Sequence, residues 1–210
     1  SMLPQAASEI VNSKLSGAEH LGRVVLVDQS PLGKTPRSNP AVYIGAFDHI
    51  RECFAQSELA RQRGLNASAF SFNSAQGQCE RCRGAGFEKI EMQFLSDVFV
   101  RCPDCQGRRY RPHILEVKLI TWSIADLLDA TVEEAIRFLA SWPDSRSALR
   151  AVQRLKLLEE VGLGYLRLGQ PINTLSGGES QRLKLVSHLA EFAAAEAQEQ
   201  KPTLFLFDEP

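Results

Sequence analysis

Four of the five cysteines fall in two C-x-x-C pairs, Cys79/Cys82 and Cys102/Cys105, with 19 residues between the pairs. Two thiolates at that spacing sit on one tight turn and can bite a single ion. A hairpin between the pairs returns the second turn beside the first. Four sulfurs then surround a metal tetrahedrally at roughly 2.3 Å, a closed structural site that favours zinc over magnesium or calcium. Two disulfides, or a rubredoxin-like iron centre, would use the same residues. Both pairs also share the pattern C-x-x-C-x-G, in which Gly84 and Gly107 let the chain turn so that backbone N–H groups face sulfur. Cys53 stands apart as an ordinary buried thiol on a helix face.

A second group of residues suits phosphate. Leu175-Ser176-Gly177-Gly178-Glu179-Ser180-Gln181 precedes a long amphipathic segment with Leu183, Val186, Leu189 and Ala190 on one face. Two glycines ahead of a helix let backbone N–H groups converge on an anion, where the helix dipole also favours negative charge. The Ser176 hydroxyl adds a donor. Glycine before a helix is by itself often only a cap. Further on, the apolar run 204–207 ends in Asp208 and Glu209. The first carboxylate suits Mg²⁺ held through water, and the second suits orienting or deprotonating an attacking water.

The elements that must position these groups follow from periodicity. The β-branched run 24–27 predicts a buried strand stopped by Asp28-Gln29-Ser30-Pro31, and Pro31, Gly33, Pro36 and Pro40 keep 31–40 extended or looped. Helical spacing covers 46–64, with Ile50, Phe54 and Leu59 on one face. Between the cysteine pairs, Ile90, Met92 and Phe94 alternate with polar residues, turn at 95–97, and return as Val98-Phe99-Val100: a hairpin with one apolar face. Residues 115–120 read as a strand. Segments 126–128, 131–140 (capped by Thr131) and 149–160 (ended by Gly162) read as helices. The last part reads as loop 173–178, helix 179–198 and strand 204–207.

The chain has 210 residues, 44% hydrophobic and 23% charged, with net charge −1. That is enough to bury a core without disulfide staples and argues against a disordered or fibrous chain. No apolar run is long enough to span a bilayer, and the start has no basic flank leading into an apolar stretch, so neither membrane nor export is expected. Near-neutral charge means that nucleic-acid binding must come from local patches. The module 74–112 is one such patch, with seven basic residues against five acidic ones; a solvated mixed-charge surface explains it equally well.

Loop, helix and acid-tipped strand in that order resemble the ATP-binding-cassette ATPases. Residues 175–181 match their signature loop, 204–209 their Walker B strand, and Gln29 stands where their Q-loop glutamine follows a strand. The segments Asp28-Gln-Ser-Pro-Leu-Gly-Lys-Thr-Pro-Arg-Ser-Asn-Pro40 and Phe70-Ser-Phe-Asn73, the four-cysteine module, and Gly162-Leu-Gly-Tyr-Leu-Arg-Leu-Gly-Gln-Pro171 narrow this further. From about residue 24 to 210 they resemble the second, C-terminal nucleotide-binding half of the UvrA family, because transporter and chromosome-maintenance cassettes carry no such cysteine insertion.

The resemblance implies an α/β fold, a partial ABC-ATPase head with a helical signature region and an inserted four-cysteine zinc hairpin module. Its parts would be the end of a core strand and Q-loop (1–30), loop and helices (31–73), the zinc insertion (74–112), the rest of the signature region (113–180), and signature helix with Walker B strand (181–210). It implies zinc on Cys79, Cys82, Cys102 and Cys105. It implies ATP and Mg²⁺ in a composite site using Gln29, Ser176, Gly177, Gly178, Glu179, Gln181, Asp208 and the catalytic Glu209. It further implies cytoplasmic location, damaged double-stranded DNA contacted near Lys34 and Arg37, a UvrB-type partner, and a homodimer of the full-length protein. Two departures stand out. No G-x-x-x-x-G-K-[ST] is present, since Asp28-x-x-x-x-Gly33-Lys34-Thr35 lacks the first glycine and runs into Pro36. The chain also stops before a D-loop or switch histidine, so a cassette cut on both sides, without ATPase activity alone, is expected. A stand-alone zinc-stabilised nucleic-acid-binding module is the alternative. A DnaJ-type zinc region ranks last, because its four-repeat pattern is absent.

Overall fold

The computed structural model describes residues 20–30, 32, 37–92, 98–194 and 202–208, with backbone alone at 191–194. Packing divides the α/β chain into two units, residues 1–28 with 195–210 and residues 29–194.

In the first unit, β1 (Arg23–Val27) pairs in parallel with β6 (Thr203–Phe207), from Arg23 opposite Thr203 to Val27 opposite Phe207. Asp208 follows directly, its N–H donating to Val27 O at 3.2 Å. The β-branched run predicts a buried strand, and this is only half right. Val25 and Val27 are buried, whereas Val24 and Leu26 are more than half exposed, and Leu204, Leu206 and Phe207 are 39–46% exposed. Parallel strands are normally covered on both faces. Among the described residues this pair has no third strand.

The second unit is mostly helical. Asn39, fully buried, caps α1 (Pro40–Tyr43) by accepting from Val42 N–H at 3.0 Å, and Pro40 supplies the pre-set φ of a first helical residue. The predicted helix 46–64 is two helices, α2 (Ala46–Ala55) and α3 (Glu58–Gln62). Ser57 ends the first and caps the second through its hydroxyl, 3.3 Å from Ala60 N. Serine competes for backbone groups in this way, which periodicity alone does not weigh. Ile50 and Phe54 lie in the core, while Leu59, past the break, is only partly buried.

Residues 115–120 are also corrected. Pro112 starts a helical turn, α4 (Pro112–Leu115), and strand structure is confined to β4 (Lys118–Leu119) pairing with β5 (Trp122–Ser123). Capping boxes then open α5 (Ile124–Asp129), Ser123 with Asp126, and α6 (Val132–Ala140), Thr131 with Glu134. Helix α7 (Arg146–Glu160) begins before the expected 149 because Ser145 caps it. It ends at Gly162, whose φ of 75° is the left-handed conformation that glycine adopts most cheaply. Helices α2 and α6 pack on α7. Trp122 stacks on Phe138 with ring centroids 4.4 Å apart, and Phe72 meets the edge of Tyr110 at 6.3 Å.

From this core projects β2 (Phe87–Ile90), antiparallel to β3 (Val98–Arg101), with Phe87 opposite Arg101 and Ile90 opposite Val98. The predicted hairpin forms; Phe94 and the turn 95–97 lie outside the described residues. Its apolar side chains are not packed away: Ile90, Met92, Val98, Phe99 and Val100 are all 43–49% exposed. Finally α8 (Gly177–Ala194) carries Leu183, Val186 and Ala190 buried on one face, with Leu189 at its margin. None of the described helices is long and apolar enough to cross a membrane.

Candidate metal centre and phosphate loop

The hairpin holds the two C-x-x-C turns together at its base. Cys102 N–H donates to Gly86 O at 3.0 Å, and Cys79 N–H to Arg109 O at 2.8 Å. The internal repeat seen in sequence is repeated in conformation. Arg83 and Gln106 have φ of 49° and 51°, and the glycines after them, Gly84 and Gly107, 80° and 88°. Each pair is therefore followed by two left-handed residues that fold the backbone around its sulfurs. Gly86 N–H donates to Cys82 Sγ at 3.2 Å. At Gly84 there is also no room: a Cβ there would overlap the carbonyl oxygen of Phe72.

All four Sγ atoms lie within 4.8 Å of one another, with Cys79–Cys102 at 3.9 Å and Cys82–Cys105 at 3.6 Å. A tetrahedron with metal–sulfur bonds of about 2.3 Å has edges of about 3.8 Å. The thiols are free, so the disulfide alternative is not adopted, and the four close cysteines could bind a metal ion. Their protonation fits that use. At Cys102 burial opposes ionisation, but the N–H groups of Cys105 and Asp104 outweigh it and hold the thiol below its ordinary value. At Cys105 burial prevails, and with Cys82 alongside the thiol is pushed up to about 12. Four thiolates cannot crowd together without a cation among them, and a divalent ion removes the conflict. Cys53, by contrast, is isolated and buried, its thiol pushed up to about 11 chiefly by burial.

Most of the module's cationic side chains hold the fold together. Arg81 pairs with Glu88 at 2.5 Å and with Asp104 at 3.3 Å, Arg111 with Glu80 at 3.2 Å, and Arg108 with Asp126 at 2.5 Å. Arg109 is buried, its Nη2 donating to Gly169 O at 2.9 Å and its guanidinium 5.2 Å over the Phe72 ring. Charge counting could not have found this, because Gly169 and Phe72 are distant in sequence.

The loop 175–179 is a capping box. Glu179 N–H donates to Ser176 Oγ at 3.3 Å, and Ser176 N–H donates to Glu179 Oε2 at 2.7 Å. The Ser176 oxygen thus serves as the cap acceptor, which leaves its O–H proton as a donor. Tyr165 O–H donates to Glu179 Oε1 at 2.6 Å, and this bond first, then the Ser176 N–H, holds the Glu179 carboxyl below its ordinary value. Arg182 reaches from the second turn of α8 to the carbonyls of Val161 and Gly162, at 3.2 and 3.3 Å, so the segment just past α7 is tied to the start of α8. The S-x-x-E spacing is visible in sequence; the roles of Tyr165 and Arg182 have no local signal.

Gln29 is brought to this loop: a Cβ on Gly177 would come within 2.7 Å of Gln29 Oε1, whereas at Gly178 it would meet nothing within 4 Å. Gly177 therefore seats the glutamine and Gly178 stands open. Gln181 is buried in the next turn. Asp208 directly follows β6 in the other unit. Arg37 is exposed, its carbonyl accepting from Asn39 Nδ2 at 3.4 Å. Lys34 and Glu209 lie outside the described residues.

No family model matches the chain. It is 50% identical over 196 residues to UvrABC system protein A of Thermus thermophilus, covering 93% of this chain and 19% of that protein. To the protein of the same name in Methanothermobacter thermautotrophicus it is 48% identical over 199 residues, 95% of this chain and 19% of the other. The structure matches the crystal structure of UvrA2 from Deinococcus radiodurans with a TM-score of 0.82 at 43% identity, over 97% of this chain and 24% of that one. The chain thus spans about a fifth of the length of the curated relatives it matches.

Proposed function

Because the chain belongs to the UvrA family, we propose that it is the part of a nucleotide excision repair ATPase that supplies a signature loop, a Walker B strand and a zinc module. The observation that carries this reading is the phosphate loop. A glycine pair stands ahead of an 18-residue helix, locked by its own capping box, with Gln29 seated on the first glycine and the second left open. The N–H groups of a first helical turn have no carbonyl within the helix to bind, so they are the donors that such a loop offers an anion. With no G-x-x-x-x-G-K-[ST] in the chain, the triphosphate is held by the Walker A of another nucleotide-binding surface. Ser176, Gly177 and Gly178 donate to its terminal phosphate from the opposite side.

In the complete assembly Gln29 reads the state of the nucleotide, Asp208 positions Mg²⁺, and Glu209 activates the attacking water. Glu179 acts one step back: its carboxylate, fixed by Tyr165, holds Ser176 in place. Cys79, Cys82, Cys102 and Cys105 hold zinc, which supplies four sulfur bonds to a hairpin too small to have a core of its own. The zinc module, together with the loop bearing Lys34 and Arg37, faces damaged double-stranded DNA in the assembled homodimer, which passes it to a UvrB-type partner in the cytoplasm.

The metal part of this reading is tested by elemental analysis of the purified chain. About one zinc per chain is expected, lost on Cys79→Ser or Cys102→Ser. Iron in its place, or undiminished zinc in both variants, would overturn the assignment.

A further inference from the structure

Between the base of the hairpin and the segment leading into the phosphate loop lies a cavity of about 270 Å³, walled by Arg101, Arg108, Arg109, Arg167 and Gly169 among others, with Asp129 its one lining carboxylate. Two of the arginines are partly committed. Arg108 pairs with Asp126 at 2.5 Å, and Arg167 Nη1 donates to the backbone oxygen of Asp129 at 2.7 Å rather than to a carboxylate. Arg109 is the telling one. It is only 5% exposed, Nη2 is satisfied by Gly169 O, and Nη1 has no acceptor among the described residues.

A buried guanidinium with an unused N–H group is expensive unless something anionic meets it. Four arginines line this one space, and arginine's planar fork suits the oxygens of phosphate. Among the described residues the wall has no cysteine or histidine for a metal and only one carboxylate against four cations.

We propose that this cavity binds a phosphate oxyanion, either free phosphate or a phosphodiester of a nucleic-acid backbone, with Arg109 Nη1 as the central donor and Arg101 and Arg167 closing over it from the exposed side. The site is separate from the phosphate loop and does not depend on how that loop is read. Its place has a consequence. Arg109 belongs to the metal module, where its carbonyl accepts from Cys79 N–H, while Arg167 and Gly169 belong to the segment that runs into the phosphate loop. An anion here ties the two together.

The test is titration of the 210-residue chain with inorganic phosphate at constant ionic strength, followed by isothermal calorimetry. Saturable binding of one phosphate per chain is expected, weakened at least tenfold in the R101Q/R167Q double variant, whose altered side chains are exposed and whose folding is checked by circular dichroism. Arg109→Lys, which keeps the charge but loses the fork, is expected to weaken binding as well. No saturable uptake, or unchanged uptake in the double variant, overturns the proposal. A duplex oligonucleotide arm separates the sources. Displacement of phosphate by duplex, lost in the double variant, assigns the site to backbone phosphodiesters. Undisturbed phosphate binding in the presence of duplex assigns it to the free ion.

Discussion

Gly84 and Gly107 occupy the same place in the two halves of the metal module, and a pair of alanine substitutions turns that equivalence into a measurement. Both glycines are left-handed, at φ 80° and 88°. A side chain in that conformation costs about 1–2 kcal/mol. Gly107 meets little else, its nearest atom being Arg101 Cδ at 4.0 Å from the added Cβ. Gly107→Ala is therefore expected to weaken metal retention by roughly 5- to 30-fold, the equivalent of that strain. At Gly84 the added Cβ overlaps the Phe72 carbonyl oxygen, which is backbone and cannot swing aside. Phe72 is itself fully buried against Phe47 and Tyr110, so the knuckle must move instead. That places Gly84→Ala above about 4 kcal/mol, in the exceptional class of single substitutions, and metal retention falls about a thousandfold or more. Competition with a chromogenic chelator at neutral pH reads both values, because in a small metal module binding and folding share one free energy. Equal losses in the two variants would show that backbone conformation alone governs the site and that the contact with Phe72 is irrelevant.

Two further expectations concern the phosphate loop. Ser176→Ala removes the cap acceptor and should lower stability in urea melts by about 1 kcal/mol, whereas Ser176→Thr should retain most of it. The acid side of stability should depend on Glu179. Its folded pKa lies below the ordinary value of 4.5, for the Tyr165 O–H bond and the Ser176 N–H bond favour the carboxylate. A group depressed in the folded state stabilises fully above its unfolded pKa and loses that contribution as pH falls through the folded value. Tyr165→Phe should therefore reduce stability in urea melts above that window and leave it unchanged below, and equal destabilisation at every pH would contradict the role assigned to the pair.

The parts of this molecule legible in its sequence are those whose geometry is local. Cysteines at fixed spacing around a hairpin announce the cluster of four sulfurs, since each C-x-x-C turn and its glycine are built within six residues. Thr131 with Glu134 marks a helix start for the same reason. Sequence and structure part where two local signals compete. At 46–64 the apolar spacing continues past Ser57, yet its hydroxyl satisfies Ala60 N and divides the helix. At 112–120 β-favouring residues follow a proline whose fixed φ begins a turn of helix first. Contacts between remote segments leave no trace at all: Arg109 against Gly169, Tyr165 against Glu179, and Arg182 on the carbonyls just past α7. Exposure at β1 is not legible either, because a β-branched run reads as buried whatever lies beside it, and here Val24 and Leu26 face outward.

All that is proposed for catalysis rests on the Ser176–Gly178 loop gripping the terminal phosphate of a nucleotide carried by another surface. Sedimentation of this chain with a UvrA-family nucleotide-binding half that retains its Walker A, with and without a non-hydrolysable ATP analogue, tests it directly. The expected result is association that requires the analogue and is abolished by Gly178→Glu, at a position with no neighbour to clash with in the free chain. Association that ignores the nucleotide, or survives that substitution, would contradict it.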